Sequence, residues 1–311
     1  ANEVLMDWYS GSAPYLVTPL DGINSKINKD VKLSYFADNE NDKAINAAST
    51  ADVVIVFGGN HPTGDAGWAK VARPSYGKES VDRETLNLED EQWIRELYEV
   101  NQNIVMVLVS SFPYAINWSQ HNLPAILQIS HNSQEQGNAL ADVIFGDYNP
   151  AGRLVQSWPL SDSLLLPILD YNIRNGNTYL YSKNKPLYPF GFGLSYTKFE
   201  YSNLKINPLK DEALISFEVK NTGNYDGDEV VQIYVSHLNS QVTRPIKELK
   251  GFARKFIKKG ETIKVAIPLK YKNLQYWDNE LKKFVDEKNA IVIKVGTSSE
   301  DIRLKSTISI D

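Results

Sequence analysis

Two observations predict a two-part fold, an α/β sandwich with a mostly parallel sheet flanked by helices and then an all-β sandwich. In the first half, unbroken β-branched runs alternate with helical stretches, whereas from about residue 198 apolar and polar residues alternate one by one. The length of 311 residues suits about two domains at roughly 100–200 residues each.

The first runs are Val53-Val54-Ile55-Val56-Phe57, Ile104 to Val109 and Ala125-Ile126-Leu127-Gln128-Ile129. Runs of this kind, without polar alternation, suit strands covered on both faces of a parallel sheet. Helical stretches over 88–101 and 133–145 lie between and after them. The first has Asn87 as its expected N-cap, and the second opens on Ser133-Gln134-Glu135-Gln136, a capping-box pattern. Glu135 in that opening turn suits capping and the helix dipole. Strand and helix in alternation predict an α/β domain over 1–159.

Residues 160–197 are rich in Pro, Gly, Asn and Tyr and show no clear period, which predicts an ordered connector that buries its aromatic residues. Beyond it, Ile215 to Val219, Val231 to Val235 and Ile291 to Val295 alternate in the manner of strands with one buried face. Turn signals such as Asn221-Thr222-Gly223-Asn224 and Lys258-Lys259-Gly260-Glu261 separate strands at short spacing. Short strands so punctuated predict a sandwich of immunoglobulin or fibronectin III type over 198–311.

Composition narrows the function. Lys+Arg 33 against Asp+Glu 38 gives a net charge of −5 without a basic block, which disfavours nucleic acid and anionic membranes as partners. With no cysteine, disulfides, thiol nucleophiles and zinc–thiolate sites are excluded. No apolar run approaches the roughly 18 residues of a membrane span. His61, His121, His131 and His237 show no metal-ligand spacing, so no metal site is expected. The Gly-rich signatures of dinucleotide folds, phosphate loops and the serine elbow of α/β hydrolases are absent as well. A nucleotide-binding α/β protein is thereby weakened, and no cofactor is implied. Carboxylate chemistry remains, and paired carboxylates are the equipment of glycoside hydrolysis.

In an open parallel sheet, ligands sit beyond the carboxyl ends of the strands. Those ends are Gly58-Gly59-Asn60-His61, Ser110-Ser111-Phe112 and Ser130-His131-Asn132. Every strand must end in a turn, so such ends do not by themselves mark a site. The first is distinguished by its loop, 58–87, which exceeds the roughly 12–15 residues at which structureless loops become uncommon unless functional or disordered. It carries Trp68 and Tyr76 together with His61, Asp65, Lys78, Glu79, Asp82, Arg83 and Glu84. Aromatic residues argue against disorder and for a site loop.

Several segments make the reading more specific. Residues 133–154 (SQEQGNALADVIFGDYNPAGRL), 187–197 (LYPFGFGLSYT), 244–252 (RPIKELKGF) and 295–303 (VGTSSEDIR) resemble, in order, four signatures of glycoside hydrolase family 3, and 18–23 (TPLDGI) fits a fifth. The resemblance spans essentially the whole chain. It implies the α/β-sandwich and fibronectin III-like portions of a β-glycosidase. Typical members begin with a (β/α)₈ barrel bearing the nucleophilic aspartate, which nothing here resembles, and have a sheet strand just before the point where this chain starts. The chain is therefore expected to be the C-terminal part of a longer enzyme, or one chain of a split, processed or rearranged one, with a barrel segment or companion chain as partner.

The family mechanism is retaining hydrolysis through a glycosyl-enzyme, with the acid/base supplied in many members by a loop glutamate near an Asp-Arg pair. Glu79, in Lys78-Glu79-Ser80-Val81-Asp82-Arg83, is the best match. Ser80 departs from the commoner glycine, which leaves Asp65 and Glu84 as alternatives. Trp68 and Tyr76 are implied contacts for the leaving-group sugar, or packing against the barrel, and Asn60, His61 and Ser111 are implied cleft contacts. Asp147, Asn149 and Arg153 are expected to be turn and interdomain structure. Ser130-His131-Asn132-Ser133 stands where the family more often has a W-x-P-G segment. The implied activity is an exo-acting β-glucosidase, with β-xylosidase as alternative, on oligosaccharides or aryl β-glycosides. A secreted or periplasmic location is expected over a cytoplasmic one. A non-catalytic carbohydrate-binding or scaffolding protein is the rival from another class, and a loop keeping a carboxylate and aromatics argues against it.

Overall fold

The computed structural model describes residues 12–37, 40–60, 83–131 and 134–310. The chain divides into two compact units, Ala1–Tyr148 with Pro159–Leu164, and Asn149–Trp158 with Leu165–Asp311.

The first unit opens with helix α1, Pro19–Lys26, set by its own sequence: Thr18 accepts the Asp21 amide, Asp21 accepts the Thr18 amide, and Pro19 fills the first turn. Helix α2, Asn41–Ala48, leads into strand β1, Val54–Gly59. Helix α3, Asp90–Val100, strand β2, Ile104–Val109, helix α4, Asn117–Asn122, strand β3, Ala125–Ile129, and helix α5, Gln136–Phe145, follow in order. The strands form a parallel sheet in the order β1-β2-β3, with Val56 beside Met106 and Met106 beside Ile126. As the middle strand, β2 buries Ile104, Met106, Val107 and Leu108 completely, which explains why it shows no alternation.

Both expected helix caps differ from the structure. Helix α3 begins after Glu89, not Asn87, and no side chain caps it. Leu86 and Leu88 are both buried, while the Asn87 amide donates to Thr85 Oγ1 at 3.1 Å. Burial of the two leucines keeps this stretch outside the helix. Helix α5 has Glu135 at its N-cap, but the carboxylate does not cap. It accepts the Tyr15 hydroxyl at 2.5 Å and the Asn138 amide at 2.7 Å. Ser133 lies outside the described residues.

The second unit is antiparallel. One sheet has the order β4-β5-β8, from Phe199–Pro208, Glu212–Asn221 and Thr262–Lys270. The other has the order β12-β11-β6-β7, from Ile302–Ser309, Ala290–Gly296, Gly227–Leu238 and Glu248–Ile257. Strands β9, Tyr276–Asp278, and β10, Lys283–Val285, make a small hairpin. Ile215, Phe217 and Val219 of β5 meet Val231, Ile233 and Val235 of β6 and Ile291, Ile293 and Val295 of β11 in one core. Alternate residues enter that core because side chains alternate across a strand. The Asn221 turn is closed by a buried amide that accepts from Thr197 Oγ1 at 2.6 Å and donates to the Tyr225 and Ile257 carbonyls.

Connector aromatics are partly buried here. Trp158 pairs with Tyr188 in an isolated antiparallel bridge, both rings buried, and Tyr179 stacks on Phe190 at 4.4 Å. Ile168, Leu169 and Tyr171 are instead 70%, 80% and 85% exposed.

Candidate active site

The three strand ends converge. Gly59 closes β1 at φ 139, where a Cβ would stand 1.9 Å from the Val109 carbonyl oxygen, so only glycine lets the two chains run this close. Its amide donates to Asp90 Oδ2 at 3.0 Å, tying the strand end to the start of α3. Asn60 follows, 5% exposed, with its amide on the Val109 carbonyl at 3.0 Å. Its side-chain oxygen accepts the Ser111 amide at 3.2 Å and its backbone carbonyl meets His131 Nε2 at 2.8 Å. His131 Nδ1 lies 2.6 Å from Ser111 Oγ. One residue from each strand end therefore joins a single polar cluster, and Ser111 is its exposed member. The neighbouring Ser110 is buried, its hydroxyl on the Phe112 carbonyl.

Arg83 stands where the chain returns from the long loop. Its guanidinium carbon lies 4.0 Å from the centroid of the Phe112 ring and 4.7 Å from that of Tyr114, a stacked cation–π arrangement. Nη1 donates to the Pro113 carbonyl at 3.0 Å, while Nε and Nη2 are buried with no hydrogen-bond acceptor among the described residues. Burial lowers the Arg83 pKa, against the pull of Tyr114 and Asp162. Further along, the Leu86 carbonyl accepts the Ala115 amide at 2.8 Å, and Asp162 accepts the Leu86 amide at 2.7 Å and the Thr85 hydroxyl at 2.8 Å. Asn60 and Arg83, the described residues on either side of 61–82, are thus both bound to the turn 110–114.

Of the residues expected in the site, Glu79, its alternative Asp65, and His61, Trp68 and Tyr76 lie outside the described residues. Glu84 is exposed just beyond Arg83. Asn60 and Ser111 are brought together, but the Asn60 side chain is turned inward onto the Ser111 amide. His131 belongs to the cluster although its surroundings in the sequence carry no ligand pattern. The available signal was its place at a strand end, and only the β1-β2-β3 order makes it a neighbour of both others. Among the described residues no group of three His, Asp or Glu side chains could hold a metal ion.

A parallel α/β unit and an antiparallel sandwich make up an architecture shared with solved glycoside hydrolases. The crystal structure of beta-D-glucoside glucohydrolase from Trichoderma reesei matches 98% of this chain with a TM-score of 0.86 and 27% identity, over 47% of its own length. The beta-glucosidase of Kluyveromyces marxianus in complex with glucose matches 90% of this chain, with a TM-score of 0.77 and 32% identity, over 34% of its own length. Residues 1–196 match the Glycosyl hydrolase family 3 C-terminal domain and residues 229–299 the Fibronectin type III-like domain. The chain belongs to glycoside hydrolase family 3.

Among its curated relatives, a beta-xylosidase of Formosa agariphila is 36% identical over 97% of this chain. The thermostable beta-glucosidase B of Acetivibrio thermocellus is 34% identical over 97%. The chain covers 42% and 43% of these two relatives, about two fifths of their length.

Proposed function

We propose that this chain is the C-terminal portion of a retaining, exo-acting β-glycosidase, a β-D-glucosidase, and that Glu79 is its acid/base. The supporting observation is the anchoring of both sides of the 61–82 segment to one turn at the carboxyl ends of a parallel sheet, in a chain of this family. Proton delivery to a leaving oxygen requires an acid held in place, and Asn60 and Arg83, the described residues flanking 61–82, are both held on the 110–114 turn. The acid's partner, an aspartate nucleophile roughly 5–5.5 Å away in such chemistry, is placed on a (β/α)₈ barrel outside this chain. That placement is supported by the relatives' greater length. Trp68 and Tyr76, with His61 and Ser111, form the leaving-group side in this reading, Asn60 holding the Ser111 amide beneath it, and terminal β-linked sugars of oligosaccharides or aryl β-glycosides are the substrates. A periplasmic or secreted location fits, and one relative is named the periplasmic beta-glucosidase of Salmonella typhimurium, 32% identical over 78% of this chain. β-D-Xylosidase activity is the second reading, favoured by the Formosa agariphila relative.

The test is Glu79→Gln in the complete enzyme. Loss of the general acid is expected to cut turnover of substrates with poor leaving groups by about 10²–10⁴-fold. Activated aryl glycosides, whose leaving oxygen needs no proton, should lose much less. Azide should rescue the variant by attacking the glycosyl-enzyme from the vacated side, giving a β-glycosyl azide. Equal losses on both substrates with no azide product would reassign the role to Asp65 or Glu84.

A further inference from the structure

The Ser111–His131–Asn60 cluster has only one proton arrangement for a neutral imidazole. The Asn60 backbone carbonyl can only accept, so His131 Nε2, 2.8 Å away, carries the ring proton and donates it. Nδ1 is then the ring's lone pair, and at 2.6 Å it takes the Ser111 hydroxyl proton. The Ser111 amide is also committed, to Asn60 Oδ1. What Ser111 presents from its exposed position is therefore an oxygen with lone pairs and no proton. A free serine hydroxyl rotates and can serve as donor or acceptor, but this one is locked as an acceptor. The arrangement resembles a serine poised for nucleophilic attack, yet the amides of Ser111 and Phe112 are both spent on internal acceptors. No oxyanion site is left at this turn, and the cluster is built for binding rather than acyl transfer.

We propose that Ser111, with its hydroxyl oriented by His131, is an acceptor for a hydroxyl group on the leaving-group sugar, and that it selects hydroxylated leaving groups over aryl ones. This rests on the glycosidase reading above. In that reading an acid within 61–82 protonates the departing oxygen, and Ser111 belongs to the turn that holds Asn60 and Arg83, which flank that segment in sequence. His131 is a positioning residue, acting through the Ser111 proton.

In the complete enzyme, Ser111→Ala should lower kcat/KM for a β-linked disaccharide roughly 3- to 10-fold, as expected for one neutral hydrogen bond. Hydrolysis of the nitrophenyl glycoside of the same sugar should change by less than about twofold. A series of disaccharides with single deoxygenations in the leaving sugar should contain one member that costs the wild type the same factor and costs Ser111→Ala nothing further. His131→Phe should weaken the disaccharide preference in the same direction. Losses that add across the series, or an equal loss on the nitrophenyl glycoside, would overturn the proposal. Independently of any hydrolysis, the ¹⁵N spectrum of the histidine-labelled protein should show His131 protonated on Nε2 and not on Nδ1. The opposite tautomer would overturn it as well. Failure of Glu79→Gln to discriminate between leaving groups leaves these outcomes readable, so the two proposals fall separately.

Discussion

At the scale of single residues, the second unit contains a buried ion pair whose cost and benefit can be separated. Arg153 Nη2 donates to Glu229 Oε2 at 3.1 Å, and the two side chains are 9% and 3% exposed. Glu229 Oε1 accepts the Tyr201 hydroxyl at 2.7 Å. Burial holds the Glu229 carboxyl above the usual carboxylate range, while the Tyr201 hydroxyl and the Arg153 guanidinium pull it down. Desolvation outweighs that pull at Glu229, and buried pairs of this kind are often replaceable by apolar residues without loss of stability. Removing one partner is another matter, because the other stays buried and charged. Arg153→Ala should destabilise the protein by about 3–5 kcal/mol. Combining Arg153→Met and Glu229→Leu with Tyr201→Phe, so that the Tyr201 hydroxyl is not left buried without its acceptor, should recover most of that loss. Urea unfolding of both variants checks this, and a triple variant no more stable than the single one would show that the network contributes more than its desolvation costs.

Among the elements, the contact between α1 and α5 depends on two glycines. A Cβ on Gly22 would stand 2.1 Å from the Gly137 carbonyl oxygen, and one on Gly137 would stand 2.0 Å from that of Thr18. Backbone therefore meets backbone, and the Val17 carbonyl accepts the Gly137 amide at 3.0 Å. No side chain can yield to relieve such an overlap. Gly137→Ala should cost at least the 1–3 kcal/mol typical of overpacking. Gly152→Ala, with nothing within 4 Å of the added carbon, should stay within about 0.5 kcal/mol. Thermal melts of the two variants measure the difference, and equal melting temperatures would contradict the close approach.

For the whole molecule, the proposed division of the carboxylate pair has a direct consequence. With the nucleophile on a barrel outside the chain, the 311-residue polypeptide should fail to hydrolyse aryl β-glycosides above the buffer rate. Even activated leaving groups need a carboxylate to attack the anomeric carbon in a retaining mechanism. Clear turnover by the purified chain would place both carboxyls within it.

By itself the sequence determines what is periodic or local. The runs at Ile104 to Val109 and Ala125 to Ile129 match β2 and β3 residue for residue; β2, the middle strand, is buried on both faces, whereas β3 lies at the sheet edge with Gln128 exposed. The alternation at 215–219, 231–235 and 291–295 lies inside β5, β6 and β11, because one face of each strand must enter a shared core. The family signatures carry the kinship. Tertiary structure decides where two parts of the chain compete for the same atoms. Asn87 and Glu135 have capping chemistry, but the burial of Leu86 and Leu88 and the Tyr15 hydroxyl redirect them. Arg83 reads as one of many loop charges until Phe112 and Tyr114 lie beneath it. Ser111 and His131, twenty residues apart, become one proton-sharing pair only through the order β1-β2-β3, since a parallel sheet sets side by side strand ends that the sequence keeps apart.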